Sequence, residues 1–278
     1  MKKLISLTEL DRQQITEILE TAMQMRKISA STFKKAPQLI GYTVGGVWQK
    51  PCFSSAAFSL AASYLSGTMH PFYGAEDAVA HSRLLDAMGV NAVVLSCEND
   101  NALRQFAQSA RCCVINGGSQ NAHPLAALAD LMTLWLKADG LQNLTVLAVG
   151  NASNNKTTEL NYCLQLFGSQ FCRYLPAEDF TTPRNGIVIS SAEAAFAGVD
   201  AVIDLGLAPF CDASRYYGTA GGISEKLMDK AAVQAPLLGA DKVVDSVGAK
   251  PYAYSAQRTA DSCAVAVAMA LLYLASKG

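Results

Sequence analysis

The sequence predicts an α/β protein built from two doubly wound parallel-sheet domains. Three observations predict this class: strand-like and helix-like segments alternate along the chain, the strand-like segments are apolar almost throughout, and the two halves share a similar layout. Strands that are apolar on both faces are typical of parallel sheets covered by helices. Ligands of such sheets bind at the carboxyl ends of the strands, so we expect a site in the crevice between the domains.

The first half is predicted to begin with a helix and to continue with alternating strands and helices. Ser6 and Glu9 match a capping box ahead of an amphipathic helix. Residues 41–49 form an apolar strand, and Ser54 or Ser55 can cap the helix that follows. The other predicted segments are helices over 75–88 and 102–110, strands over 90–96 and 112–116, and a helix opened by Pro124.

The second half begins after a polar linker that follows Lys137. Strands are predicted over 144–150, 185–190, 200–206 and 235–240, with helices over 159–167 and 191–197. Ser224 is placed to cap a further helix, and a long Ala-rich helix is predicted from Tyr254 to Ser276. Low-complexity tracts and short repeats are absent from the sequence.

Composition excludes several classes of partner and cofactor. Hydrophobic residues make up 51% of the 278 residues, and the formal net charge of −1 gives no basic field, so we predict no nucleic-acid or membrane partner. Eight cysteines without a CxxC pair, with three histidines, indicate buried reduced thiols in a cytoplasmic protein. No metal or other cofactor is predicted.

Neither end of the chain suggests a membrane segment. The first residues, MKKLISLTELDRQQ, turn polar too early for a signal peptide. The most apolar run, 264–275, is too short to span a bilayer and is expected to form a packed helix.

His123 is the most informative residue among the loops that follow predicted strands. It stands between a Gly-rich loop and Pro124 at the mouth of a helix. A neutral imidazole there can donate a hydrogen bond to a carbonyl oxygen in the crevice. The alternative is a structural role, in which the ring caps the helix or satisfies loop carbonyls.

The loop over 150–158, GNASNNKTT, is the candidate site of the second half. Its amides Asn151, Asn154 and Asn155, with Lys156, suit the polar end of an amino acid or an anion at the next helix N-terminus. A turn-and-cap cluster uses the same residue types. The loop does not match GxGxxG, and neither a GxSxG elbow nor a Walker A sequence occurs in the chain.

The segment INGGSQNAHPLAALADLMTL, residues 115–134, resembles the aspartate and ornithine carbamoyltransferases, and the resemblance extends over nearly the whole chain. KPCFSSAAFSLAASYLSG is similar to the family's Pro-Ser-Thr-Arg-Thr-Arg element, and LAVGNASNNKTTEL resembles the Asn-Asn loop of its second domain. AFAGVDAVIDLG and PLLGADKVV fall where the family has its later strand and its His-Pro-Leu-Pro-Arg or His-Cys-Leu-Pro motif.

The resemblance implies a two-domain carbamoyltransferase fold, usually trimeric, in which carbamoyl phosphate reacts with an amino-acid amine at subunit interfaces. The implied first domain is 1–137, completed by a C-terminal helix over 254–278 that packs back on it, and 138–253 is the amino-acid-binding type of domain. His123 then takes the carbonyl-polarising position. The implied substrate-binding residues are Ser54, Ser55 and Asn155.

Several of the family's charged positions are replaced. Both arginines of the Ser-Thr-Arg-Thr-Arg element are absent, and no Lys or Arg occurs from Pro51 through Gly67. Leu125 and Ala126 stand where the family has Thr and Gln. Similar replacements occur at Pro236, Gly239 and Val265.

Three hypotheses follow from these replacements. In the first, the chain is a pseudoenzyme that keeps the fold and serves as a binding or regulatory partner, as a homotrimer or in a mixed trimer with an active paralogue. In the second, it is an active carbamoyltransferase-like enzyme with an altered donor or acceptor, and its ligand is an amino-acid-like or carbamoyl compound. In the third, it is a scaffold whose crevice is filled by Trp48, Phe53 or Phe58. We rank the first above the second.

Overall fold

A computed structural model gives the structure of the protein and describes residues 2–48, 50–73, 78–150, 155–174, 186–189, 191–206 and 223–278. The chain divides into two compact units. The first contains Met1–Met132 and Asp261–Gly278, and the second contains Thr133–Ala260. The sequence-based expectation places these divisions at 137 and 254.

The first unit is built on a parallel sheet whose order, over the described strands, is β1-β5-β4-β2-β3. Apolar runs place β2, β4 and β5 in the interior, where Val44, Val94 and Ile115 are fully buried. The elements are β1 (Lys3–Leu4), α1 (Arg12–Ala30), β2 (Thr43–Trp48), α2 (Phe53–Tyr64), β3 (Thr68–Tyr73), α3 (Ala78–Ala87), β4 (Ala92–Cys97), α4 (Asp100–Ser109), β5 (Cys113–Ser119) and α5 (Pro124–Ala138).

The second unit repeats this architecture with a parallel sheet of order β10-β9-β6-β7-β8 and a small antiparallel hairpin, β11-β12. Leu147, Val202 and Leu237 from adjacent strands are fully buried in its core. The elements are β6 (Thr145–Val149), α6 (Thr157–Leu166), β7 (Gln170–Tyr174), β8 (Ile187–Ile189), α7 (Ala192–Phe196), β9 (Ala201–Asp204), α8 (Glu225–Met228), β10 (Leu237–Leu238), β11 (Lys242–Val244) and β12 (Ala249–Pro251). The last helix, α9 (Gln257–Ser276), begins in this unit and continues in the first.

These two parallel-sheet units confirm the predicted fold class. The C-terminal part of α9 belongs to the first unit, in agreement with a terminal helix that returns to the first domain. By length and composition alone α9 could cross a membrane, but most of its apolar window is buried, as expected of a core helix.

The capping box predicted for the first helix is wrong. Ser6 caps a short 3-10 turn over Leu7–Glu9 instead. The helix begins at Arg12, where Asp11 and Gln14 form the capping box: Gln14 N–H donates to Asp11 Oδ1 at 2.8 Å, and Asp11 N–H donates to Gln14 Oε1 at 2.9 Å. Ser6 and Asp11 both have the extended backbone of a cap, but the turn that follows Ser6 ends at Leu10, where the chain is extended again, so only the cap at Asp11 leads into α1.

Candidate functional site

The N-terminus of α2 is capped by backbone geometry and by one of its two serines. Cys52, not Ser54 or Ser55, is the N-cap residue, which corrects the predicted cap. The Ser55 hydroxyl accepts from Cys52 N–H at 2.9 Å and donates to the Cys52 carbonyl at 2.7 Å. Because the hydroxyl of Ser55 already makes both of these bonds, its role in the described structure is to hold the helix start.

Ser54, the neighbouring serine, is fully buried, and its Oγ has no hydrogen-bond partner among the described residues. Leaving a buried hydroxyl unsatisfied costs about 1–3 kcal/mol, so natural proteins rarely retain one without a reason. The two predicted site serines therefore differ in hydrogen bonding. The hydroxyl of Ser55 stabilises the helix start, whereas the hydroxyl of Ser54 makes no hydrogen bond to the described residues.

An indole ring lies across the carboxyl ends of the strands beside α2. Trp48, the last residue of β2, is only 4% exposed. A Cβ added at Gly46 would lie 2.5 Å from the indole Nε1, and one added at Gly117 would lie 3.0 Å from indole Cζ3. The ring therefore depends on two glycines, from β2 and β5, to lie flat over the sheet.

His123 serves as a helix cap in the described structure. Its Nδ1 accepts from Ala126 N–H at 3.2 Å, so the proton of the neutral ring lies on Nε2. The ring stands 6.5 Å from that of Phe53, which is half-exposed at the start of α2. A Cβ at Gly118 would lie 3.0 Å from His123 Cδ2 and Nε2, so a glycine with φ +125° is needed to admit the imidazole.

The structure thus brings α2 and His123 into one neighbourhood, at strand ends of the first unit. Ser96, at the end of β4, donates to the Gly118 carbonyl at 3.1 Å and joins two of these strands. Within the strand-end segments 48–54, 73–77, 96–100 and 116–123, the single Lys or Arg in the sequence is Lys50, and its side chain is exposed. The neighbourhood is therefore polar but almost without cationic charge.

The second unit has a different character where β6 and β9 end. Asn155 and Lys156 are half-buried at the start of α6, and Asp204 is the last residue of the adjacent strand β9. Burial raises the pKa of Asp204, while the Gly206 N–H at 2.8 Å and the charge of Lys156 act in the opposite direction. Asn151 and Asn154, predicted to share this site, lie outside the described residues.

A glycine at the end of β10 completes this edge of the second sheet. Gly239 has φ +83°, and a Cβ at that position would overlap the carbonyl oxygen of Asp204. Its N–H donates to Gln257 Oε1 at 2.8 Å. The backbone of β10 therefore approaches β9 so closely that no side chain fits between them.

The described cysteines are free thiols. Burial raises the pKa of Cys112 to about 12 and that of Cys113 to about 11, so both are protonated at neutral pH. Among the described residues, no group of three His, Cys, Asp or Glu side chains is placed to hold a metal ion. Cys211 lies outside the described part of the chain.

Of the residues in these neighbourhoods, Trp48 was predicted only in part and Asp204 was not predicted from the sequence. Trp48 was identified only as one of three aromatic side chains that could fill the crevice, although it covers the strand ends through Gly46 and Gly117. Asp204 was missed, because one carboxylate at the end of a predicted strand carries no motif. The clue available in the sequence was a charged residue directly after the apolar run AVI.

A family model described as "Aspartate/ornithine carbamoyltransferase, carbamoyl-P binding domain" matches residues 2–135. The catalytic subunit of aspartate carbamoyltransferase from Halothermothrix orenii is 30% identical over 169 residues, which cover 58% of this chain and 54% of that protein. This alignment thus spans about half the length of the relative. The corresponding subunit from Acetivibrio thermocellus is 27% identical over an alignment that covers 99% of this chain and 96% of that protein.

The fold has solved counterparts over its full length. The ornithine carbamoyltransferase from Pyrococcus furiosus superposes with a TM-score of 0.82, covering 98% of this chain and 96% of that one, at 20% sequence identity. At that identity the superposition bears on the fold alone.

Proposed function

This chain belongs to the aspartate/ornithine carbamoyltransferase family, and we propose that it is a carbamoyltransferase-like pseudoenzyme that serves as a binding or regulatory partner. The observation that supports this proposal is the charge of the first unit's strand ends. The segment from Pro51 through Gly67 has no Lys or Arg, and Lys50 beside it is exposed. Carbamoyl phosphate-dependent transfer requires compensation of the phosphate charge, which these segments do not supply.

The binding free energy that the absent arginines would contribute to the phosphate is large enough to account for a loss of activity. Each charge-assisted hydrogen bond contributes about 1.5–3 kcal/mol, so several absent arginines together correspond to many orders of magnitude in affinity. The N-terminus of α2 supplies about half a positive charge. Ser55 is already engaged with Cys52, which leaves the Ser54 hydroxyl as a single neutral donor. The phosphate that departs in the transition state would have no cationic partner.

Direct assay tests this proposal. Purified full-length chain is incubated with carbamoyl phosphate and either aspartate or ornithine, and carbamoyl-aspartate and citrulline are measured. We expect no product above the uncatalysed rate and no heat of binding when carbamoyl phosphate is titrated calorimetrically. An aspartate carbamoyltransferase of known activity, treated in parallel, validates the assay, and robust turnover by this chain would refute the proposal.

A second function, an enzyme with altered substrates, is favoured by two features. His123 has its proton on Nε2, the tautomer that can polarise a carbonyl, and Lys156 lies close enough to Asp204 to influence its ionisation. A cation and a carboxylate at neighbouring strand ends suit the two charges of an amino-acid zwitterion. The implied substrates are a neutral carbamoyl donor and an amino-acid-like acceptor, the latter contacted by Asn155.

Thermal-shift screening with amino acids, ureido compounds and carbamoyl donors tests this alternative. His123→Ala abolishes the ring and also the cap on Ala126, so His123→Asn, which retains a short polar acceptor, serves as the matched variant. If a compound raises the melting temperature of the wild type but not that of either variant, the ring has a role in substrate binding. If no compound raises the melting temperature of the wild type, the alternative loses its support.

We also propose a cytoplasmic trimer, either of identical chains or mixed with an active paralogue. The exposed face of α2 supports self-association, because the helix has no charged residue and Phe53 and Leu60 are 46% and 44% exposed. Size-exclusion chromatography with light scattering measures the mass directly. A trimer of the 29.4 kDa chain is expected, and a monomer at micromolar concentration would contradict a homotrimer.

A further inference from the structure

A cavity of about 640 Å³ opens in the first unit at the amino ends of β4 and β5, the opposite end of these strands from His123. It lies where α3 and α4 finish. It is lined by Arg83, Asp86, Ala87, Val90, Asn91, Ser109, Arg111 and Cys112. Its volume is in the range of sites that hold small organic molecules.

Two guanidinium groups give this cavity its charge. Arg83 comes from α3 and Arg111 from the turn before β5, and both are exposed. Within the described residues neither guanidinium has an acidic group at ion-pairing distance. Counting Asp86, the lining has a net charge of +1 in a chain whose formal net charge is −1.

The carboxylate in the lining is committed to the backbone. Asp86 Oδ2 accepts from Arg111 N–H at 2.8 Å and Oδ1 accepts from Cys112 N–H at 3.0 Å. Burial acts to raise the pKa of Asp86, but these two backbone bonds, a hydrogen bond from the Cys112 thiol and the positive charge of Arg111 together hold it below its usual value. Asp86 therefore anchors the turn that carries Arg111, and its hydrogen-bonding capacity is not directed at the guanidinium groups.

The two helices that form the walls are joined by a buried contact. The hydroxyls of Ser82 and Ser109 lie 2.6 Å apart, and the Ser109 hydroxyl also donates to a carbonyl of α4's last turn. The backbone positions of Arg83 and Arg111 are thus both fixed relative to the cavity. Rigid attachment lowers the entropic cost of bringing two long cationic side chains onto one ligand.

We propose that this cavity binds a phosphate dianion, either free or as the phosphate group of a small metabolite. Two guanidinium groups from separate elements can each form a bidentate pair with phosphate oxygens, and the amide of Asn91 adds a neutral donor at the rim. A dianion neutralises both guanidinium charges. This site is separate from α2 and His123 and is independent of whether the chain catalyses carbamoyl transfer.

Calorimetric titration of inorganic phosphate into the full chain tests the site, with ionic strength held constant by sodium chloride. We expect saturable binding to one site per chain. Arg83→Gln and Arg111→Gln should each weaken it about tenfold or more, because each removes one charge-assisted contact. Arg26→Gln, which neutralises an exposed arginine of α1 outside the cavity, is the matched control and should leave the affinity unchanged.

Amide chemical shifts and a second ligand complete the test. Phosphate should perturb amides over 83–91 and 109–112, and Ser54→Ala should not alter the affinity. Glycerol phosphate distinguishes the source: tighter binding than inorganic phosphate indicates a phosphorylated metabolite, and equal or weaker binding indicates the free ion. Absence of saturable binding, or equal loss in Arg26→Gln, would overturn the proposal.

Discussion

The strand ends of the two units differ in charge. In the first unit, the segments around α2 and His123 have Lys50 as their single Lys or Arg, and the Trp48 indole covers the sheet. In the second unit, Lys156 and Asp204 stand at the ends of neighbouring elements and interact electrostatically. The strand-end segments expected to hold phosphate have Glu76, Asp77, Glu98 and Asp100 against Lys50, a formal net charge of −3, whereas the second unit has both signs of charge.

The two strand ends therefore suit ligands of different charge. The second unit has a close-packed, charged strand end around Gly239 and Asp204. A ligand with both charges is thus a better candidate than a phosphorylated one for the second unit. The predictions below test each side of this comparison, beginning with the largest effect.

Gly239→Ala should be the most damaging of these changes. The new Cβ overlaps the Asp204 carbonyl and the residue must keep φ +83°, so we expect a loss of about 3 kcal/mol or more in the free energy of unfolding. Urea denaturation followed by circular dichroism measures it. Gly198→Ala has a similar φ of +68° with no atom within 4 Å, and should cost only about 1 kcal/mol. Equal losses would show that the close approach to Asp204 does not matter.

Gly118→Ala should disturb the first unit through His123. The added Cβ crowds the imidazole at 3.0 Å, so the ring must move and its bond to Ala126 N–H is weakened. We expect about 2 kcal/mol of destabilisation and shifted imidazole resonances in NMR spectra. Gly41→Ala, at φ +75° with open space, is the control and should leave the His123 resonances in place. An unshifted imidazole in Gly118→Ala would contradict this packing of the ring.

The two adjacent serines should respond in opposite directions. Ser55→Ala removes both hydrogen bonds to Cys52 and should cost about 1 kcal/mol, as for other helix caps. Ser54→Ala removes a buried hydroxyl without a described partner and should be neutral or stabilising by up to about 1 kcal/mol. Thermal and urea denaturation distinguish the signs. A clear loss in Ser54→Ala would mean that this hydroxyl is already satisfied.

Lys156→Met should shift the titration of Asp204. The lysine charge lowers the pKa of this carboxyl against the effect of burial, so its removal should raise that pKa further. Because a raised folded-state pKa means that the ionised form of Asp204 opposes folding, the variant should be less stable than the wild type at neutral pH. This difference in the free energy of unfolding should become smaller as the pH falls through the pKa of Asp204. Carboxyl NMR titration measures the shift. Lys242→Met, a change at an exposed lysine of the same unit, should leave Asp204 unaltered.

Much of the fold was predictable because it depends on features that are contiguous in the sequence, namely apolar runs and the order of motifs. Apolar runs indicated five interior strands, β2, β4, β5, β6 and β9, close to their observed bounds, and the order of motifs indicated the family. The interior strand β7, with sequence QFCRY, was missed because Gln170 and Arg173 interrupt its apolar pattern. β3, with sequence TMHPFY, was missed because His70 and Pro71 interrupt an apolar pattern. As an edge strand it pairs on one side only, so it tolerates both residues.

The site was less predictable, because its geometry depends on contacts that sequence spacing does not specify. Ser54 and Ser55 are adjacent and chemically identical, yet one is engaged and the other is not, since helical geometry turns them about 100° apart. His123 was placed correctly at a helix mouth, and both its structural and its functional interpretation remain open from sequence. The Ser6 pattern matched a capping box only by composition, because the chain stays extended at Leu10 before α1.

The positions of the thiols allow ligand binding at the strand ends of the first unit to be measured by cysteine alkylation. Cys52 and Cys97 are half-exposed where α2 begins and where β4 ends, whereas Cys113, Cys163 and Cys263 are buried. An alkylating reagent should therefore modify the strand-end pair ahead of those buried thiols, with Cys112 slowed by its raised pKa. Mass spectrometry of the alkylated peptides would then register any compound that shields Cys52 and Cys97, whatever its chemical identity and without an engineered label.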